Sequence, residues 1–196
     1  MMEKQFDEKQ SLAVISEMIQ NARERVVDNG YWYLLWGYLV FAAAITHYIL
    51  MEIVHWEYAW LPWPVFMMLG GIFSAFAGYR QASAARHKTF FDTVMISLWS
   101  AFLIVLLLIL AFAALGKINP LAAYPMIMII YGFGTWVSGG VLKYTPLVIG
   151  GIICWILAGI AFYFSFDIQI LLLALSILIA YIIPGHMLKF KASRNV

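Results

Sequence analysis

Charge is what this sequence has least of. Only 11% of its residues are Asp, Glu, Lys or Arg, where soluble domains carry about 25%, and none falls in the 24 positions between Asp92 and Lys117. So little polar surface cannot solubilise a domain of this length, which excludes an ordinary water-soluble fold. Cysteine is nearly missing as well. Cys154 is the single one, so no intrachain disulfide can form and no cysteine-rich metal site can be built. No nucleophile elbow, zinc-protease helix, phosphate-binding loop or cysteine pair occurs, and enzymatic chemistry has no positive support. The net charge of +2 is too small to imply nucleic acid, because the basic residues flank apolar segments where membrane orientation accounts for them. No cofactor or metal is expected. A short basic leader is lacking too: an acidic, amphipathic stretch precedes the first apolar run, so that run is expected to direct insertion itself.

What is present in excess is hydrocarbon. Sixty-four per cent of residues are apolar and the mean hydropathy is +0.88. The uncharged run 93–116 would span roughly 36 Å as a helix, more than the roughly 30 Å hydrocarbon layer of a bilayer. In lipid every backbone group must be paired internally, which makes helices the expected spans for long runs without alternation. Six spans are predicted: 31–51, 64–79, 93–115, 121–139, 147–164 and 168–183. The fold class expected is all-α, a polytopic membrane protein with a six-transmembrane-helix bundle (31–186), preceded by an N-terminal amphipathic cytoplasmic helix (1–30) and followed by a basic cytoplasmic tail (187–196). Alternate assignment of loops places 11 of the 12 Lys and Arg residues on one side and Lys117 alone on the other. Such asymmetry predicts that both termini are cytoplasmic.

Residues 3–28 carry Leu12, Ile15, Ile19, Ala22 and Val26, a 3-4-3-4 spacing that draws one narrow stripe along a helix. Asn29-Gly30 then supplies a stop. The stripe suits a docking surface for a protein partner or a second copy, although two heptads are short for a coiled coil. An interfacial helix, lying on the lipid bilayer or folded against the inner loops, is preferred. Small residues recur inside the spans: Gly70, Ser74 and Gly78 at i, i+4, i+8, then Gly132, Gly134, Gly139, Gly150, Gly151 and Gly159. Such residues let helices approach closely in lipid, where no hydrophobic force drives them together. Packing within a single bundle is the expected use.

No Asp, Glu, Lys or Arg is predicted near mid-membrane, which speaks against an ion-coupled carrier. His47 is expected one turn inside the outer end of the first span. Haem ligation there would need a second histidine at matching depth and none is found, so a hydrogen-bonded structural role is preferred. The one polar constellation is Tyr48, Glu52 and His55, on one face if the first helix continues past Met51, with Glu57 nearby and Asp167 in the other acidic outer loop. Carboxylates and an imidazole on a face without cations could gather a divalent metal or a cationic solute, but solvated loop charges at an interface explain the same residues and are preferred. Asp92 is expected to cap the third span. His186, beside Pro184-Gly185, is expected at headgroup level after the last helix ends.

Weak internal similarity relates the halves. Leu34-Leu35-Trp36-Gly37-Tyr38 parallels Ile129-Ile130-Tyr131-Gly132-Phe133, Leu69-Gly70-Gly71-Ile72 parallels Ile149-Gly150-Gly151-Ile152, and Phe91-Asp92 parallels Phe166-Asp167. Three spans followed by three inverted spans is an arrangement that transporters use, but chance similarity among apolar helices is the favoured explanation. Tyr131-Gly132-Phe133-Gly134, the run Ser138-Gly139-Gly140-Val141-Leu142-Lys143-Tyr144-Thr145-Pro146 and the ending Ile183-Pro184-Gly185-His186 resemble an uncharacterised group of bacterial multipass inner-membrane proteins. That resemblance covers the last third of the chain and, loosely, Tyr33-Leu34-Leu35-Trp36-Gly37; it implies a bacterial inner-membrane setting and no activity. The function expected is a non-enzymatic scaffold or regulatory membrane component, with a small 3+3 transporter or channel for an uncharged or cationic solute as the alternative.

Overall fold

A computed structural model describes residues 30–84 and 90–194. Among these residues the chain is helical throughout, with no strand. Six helices follow one another. They are α1 (Tyr31–Ile53), α2 (Pro62–Ala84), α3 (Phe90–Ala114), α4 (Pro120–Leu142), α5 (Thr145–Ala161) and α6, which runs through Phe166–Ile177, Leu178–Ile182 and Ile183–Arg194 without a break. Each predicted span is therefore a helix. Four of them, Tyr31–Ile53, Asp92–Ala114, Pro120–Leu142 and Phe166–Phe190, are long and apolar enough to cross a membrane. α5 is apolar but has 17 residues, about 25 Å. α2 has the length, yet Pro62, Pro64, Gly70, Gly71 and Gly78 dilute its hydropathy. The amphipathic helix expected over residues 3–28 lies outside the described residues, as do Arg86 and Lys88.

Helix ends follow local chemistry. Asn119 Oδ1 accepts the Leu121 N–H at 2.9 Å, and Pro120 occupies the first turn of α4, where a missing N–H leaves nothing unpaired. α4 stops at Lys143, whose left-handed backbone (φ 48) returns its N–H to the Gly139 and Gly140 carbonyls. Asp92 sits in the first turn of α3, favourable to the helix dipole.

The predicted end of the last span needs correction. Instead of stopping at Pro184-Gly185, α6 runs on to Arg194. A proline inside a helix lacks an N–H and crowds the carbonyl four residues back. Here the turn before it, Leu178–Ile182, is widened to π geometry, and the Ile183 N–H bonds the Leu178 carbonyl five residues back. That extra residue takes up the proline without breaking the helix. Gly185 marks a crossing rather than a stop: a Cβ there would lie 2.9 Å from the Leu34 side chain.

α1, α4, α5 and α6 form the centre. α4 and α5 make the most extensive pairing, and α6 packs along α1 and against α5 and α4. α2 attaches to α1 and α3 to α4, each as an outer helix. The contrast in burial is large: half or more of the residues in the α4 and α6 windows are buried, whereas in the α3 window only 6% are.

Candidate functional site

Two buried polar centres lie within the bundle. The first gathers where α1 ends and α2, α4 and α6 begin. His47, 5% exposed, accepts a hydrogen bond at Nδ1 from Trp63 Nε1 at 2.8 Å, and the Tyr124 hydroxyl lies 3.1 Å from the same nitrogen. An indole nitrogen can only donate, so Nδ1 must hold a lone pair and the imidazole proton sits on Nε2. Phe166 closes the box, edge-on to both His47 and Tyr124 at ring separations of 6.0 and 5.1 Å. His47 is thus a hydrogen-bonded structural residue, as its isolation in the sequence suggested.

Gln169 lies on the next turn of α6 and is fully buried. Its Nε2 faces three carbonyls, of Leu121 (2.8 Å), Ala161 (3.0 Å) and Phe164 (3.1 Å), which belong to α4, α5 and the turn after α5. Its Oε1 has no partner. One amide therefore ties together the three helices that meet at this end. Sequence reasoning passed over Gln169, although a lone amide in an apolar segment was the available signal.

The second centre surrounds Tyr181, in the widened turn of α6. Its ring lies 5.9 Å from Tyr33 of α1, 5.5 Å from Tyr131 of α4 and 6.1 Å from Trp99 of α3. Phe102 adds a fifth ring, 4.8 Å from Tyr131 and 5.2 Å from Trp99. Ser138 of α4 neighbours Tyr33. The Tyr181 hydroxyl is buried without a hydrogen-bond partner, while Ser138 Oγ faces the Tyr33 hydroxyl. By contrast Thr135 donates to the Tyr131 carbonyl at 2.8 Å and Ser176 to the Leu172 carbonyl at 2.8 Å, the usual use of such groups in apolar helices. Tyr181 and Tyr33 drew no attention in the sequence as polar core residues, because tyrosines near a helix end read as interfacial.

The outer polar cluster does not assemble on one helical face. α1 does continue past Met51, but as a π turn over Ile49–Ile53, and His55 then takes a left-handed conformation with φ 53. The i, i+4, i+7 register from Tyr48 through Glu52 is therefore lost before His55, because the wide turn rotates the chain and the helix ends at Val54. Glu52, His55 and Glu57 are exposed, and Asp167 stands beside Ser165 at the start of α6. Among the described residues no three of His, Cys, Asp and Glu stand together to hold a metal. His186 lies within α6 and is bonded through Nε2 to the Tyr38 hydroxyl at 2.7 Å.

The small residues divide into two sets. A Cβ on Gly132 would lie 2.9 Å from the Gly151 carbonyl oxygen, and one on Gly151 would lie 2.7 Å from that of Gly132, so α4 and α5 touch backbone to backbone. Gly139 meets the Val148 backbone, Gly150 the Ala180 backbone, Gly134 the Trp99 ring and Gly70 the side chains of Leu39 and Trp36. Gly78 and Gly159 face nothing within 4 Å, and Ser74 Oγ is buried without a partner. Gly37, absent from the predicted set, packs on Tyr181 and Ile182.

Four helices fit to cross a bilayer place the chain among α-helical membrane proteins. No family model, curated protein or solved structure matches it.

Proposed function

We propose that this chain is a six-span protein of a bacterial inner membrane, with both termini in the cytoplasm, that acts as a non-enzymatic scaffold or regulatory component for another membrane protein. The supporting observation is α3. Its apolar window has the highest hydropathy of the four, yet only 6% of it is buried, and its packing is directed to α4. A helix fixed along one edge leaves the opposite edge to lipid or to a further helix, and in lipid such association rests on close packing. α2, joined mainly to α1, has the same character, with Met68, Ile72, Phe76 and Tyr79 exposed. Residues 3–28 would add a cytoplasmic contact for a protein partner or a second copy. The cytoplasmic placement rests on the distribution of Lys and Arg, and the bacterial setting on the resemblance noted above.

Photo-crosslinking in native membranes tests this role. A crosslinker at Leu103 or Leu107 on the exposed side of α3 is expected to give one defined protein adduct that disappears when residues 3–28 are deleted. Lipid adducts alone, or an adduct equally formed from Ile156 on α5, would count against it.

A second reading, a 3+3 carrier or channel, is supported by one further relationship. α1 pairs with α2 as α4 does with α5, and the third helix of each half packs on the first helix of the other, α3 on α4 and α6 on α1. Helices exchanged in this manner are what two inverted repeats related by a twofold axis would produce.

A further inference from the structure

We propose that Tyr38, His186 and Lys189 form a headgroup site for an anionic phospholipid, set in the groove between α1 and α6 where α1 begins. A Cβ on Gly30 would lie 2.8 Å from the Gly185 carbonyl oxygen and 3.0 Å from the Leu188 side chain, so the start of α1 abuts the last turns of α6. On the exposed flank of this crossing two polar rings meet, the Tyr38 hydroxyl and His186 Nε2 lying 2.7 Å apart. Both belong to segments long and apolar enough to cross a membrane, Tyr31–Ile53 and Phe166–Phe190, yet Tyr38 is 49% exposed and His186 only half-buried. Polar side chains within membrane helices ordinarily turn inward. These two turn outward, an arrangement accounted for when a polar group of the bilayer itself receives them.

The pair always keeps one donor to spare. If Tyr38 donates to Nε2, the imidazole proton sits on Nδ1; if Nε2–H donates to the tyrosine oxygen, the hydroxyl proton is left to point elsewhere. The His186 ring is held by Tyr38, edge-on at 6.0 Å, and by Phe190 at 6.5 Å. Lys189 is exposed and follows His186 by three residues, which places both on one side of α6. An ammonium beside a neutral donor complements a phosphate oxygen. The ligand must also be negative overall. Of the described acidic residues, Glu52 stands at the far end of α1 with Glu57 beyond it, Asp167 at the far end of α6, and Asp92 on α3, which packs on α4. None is placed to receive the ammonium of a zwitterionic headgroup. Ile183, exposed one turn deeper on α6, gives an acyl chain an apolar continuation that a free phosphate would not use. This site rests on the chain's crossing a bilayer and not on its having a protein partner.

Native mass spectrometry of the full chain in a non-ionic detergent tests the site, with phosphatidylglycerol and phosphatidylcholine of the same acyl chains as probes. The parent is expected to retain one phosphatidylglycerol about tenfold more tightly than phosphatidylcholine, and excess inorganic phosphate is expected to leave that lipid bound. Lys189→Gln, a change at an exposed position, is expected to lower the preference about fivefold, the scale of one cation at a lipid surface, whereas Lys189→Arg keeps it. Tyr38→Phe removes one hydroxyl and is expected to lower it about threefold. Lys117→Gln, in the turn between α3 and α4, is expected to change nothing. Equal binding of the two lipids by the parent, a preference that survives Lys189→Gln combined with His186→Ala, or displacement of the lipid by inorganic phosphate overturns the proposal. None of these outcomes bears on the crosslinked adduct at α3, so the lipid site and the partner contact fail separately.

Discussion

Gln169 supplies the hydrogen bond that Pro125 cannot make. In a regular helix the Leu121 carbonyl would receive the N–H of residue 125, but that residue is proline, and the Gln169 amide nitrogen reaches across from α6 to the same oxygen at 2.8 Å. A defect in one helix is thereby repaired by a side chain of another. Gln169→Leu is expected to destabilise the bundle by about 2 kcal/mol, the scale of a buried carbonyl left unpaired. Pro125→Ala restores a backbone donor, so the double variant is expected to recover about 1 kcal/mol of that loss. A double-mutant cycle of unfolding free energies in detergent checks both figures; additive losses would separate the two residues.

The His47 centre makes a prediction of opposite polarity, because here the acceptor is single and the donors are two. His47→Phe retains a ring for Phe166 and Trp63 to pack on, but leaves the Trp63 N–H and the Tyr124 hydroxyl without their shared nitrogen. A loss of about 2–3 kcal/mol is expected from two buried polar groups. Trp63→Phe in the same background is then expected to cost less than in the parent, since the indole N–H has already lost His47 and keeps only the Tyr124 hydroxyl beside it. Equilibrium unfolding monitored by tryptophan fluorescence or far-ultraviolet circular dichroism measures each step, and equal effects of Trp63→Phe in both backgrounds would refute the coupling.

Glycines of identical appearance in the sequence are expected to respond differently to the same change. Gly151→Val places a side chain against the Gly132 carbonyl and Trp136 of α4, where neither backbone can retreat, and is expected to cost about 3 kcal/mol or prevent assembly. Gly159→Val, which meets nothing within 4 Å, is expected to change stability by less than about 1 kcal/mol. Yield of folded protein by size-exclusion chromatography and the midpoint of denaturation distinguish the two.

The helices themselves were legible because lipid-spanning segments announce themselves by length and the lack of charge, and all six predicted positions are helical. Which side of each helix faces inward was not. Lipid and core are equally apolar, so hydropathy carries no inside–outside signal, and Gly78 and Gly159 were grouped with Gly132 and Gly151 although they contact nothing. Gly70, Gly132, Gly139, Gly150 and Gly151 do mark crossings. The run-on of α6 through Pro184 escaped notice because a π turn is a matter of backbone pairing that composition does not encode. Gln169 and Ser138 escaped for a related reason: a polar residue in an apolar segment is conspicuous, but its partners are fixed only once helices far apart in the chain come together. The face through Tyr48, Glu52 and His55 failed for the same kind of cause, an unforeseen wide turn.

The pairing of α1 with α6 reaches beyond the finished molecule. α1 meets α2 next along the chain, but its longest contact, including the seat for Leu34 against Gly185, is with α6, more than 110 residues on. Until α6 has been made, α1 stands with one flank unclaimed. The inner packing of this bundle therefore closes late in synthesis, when α6 arrives to fill the place that α1 has kept open.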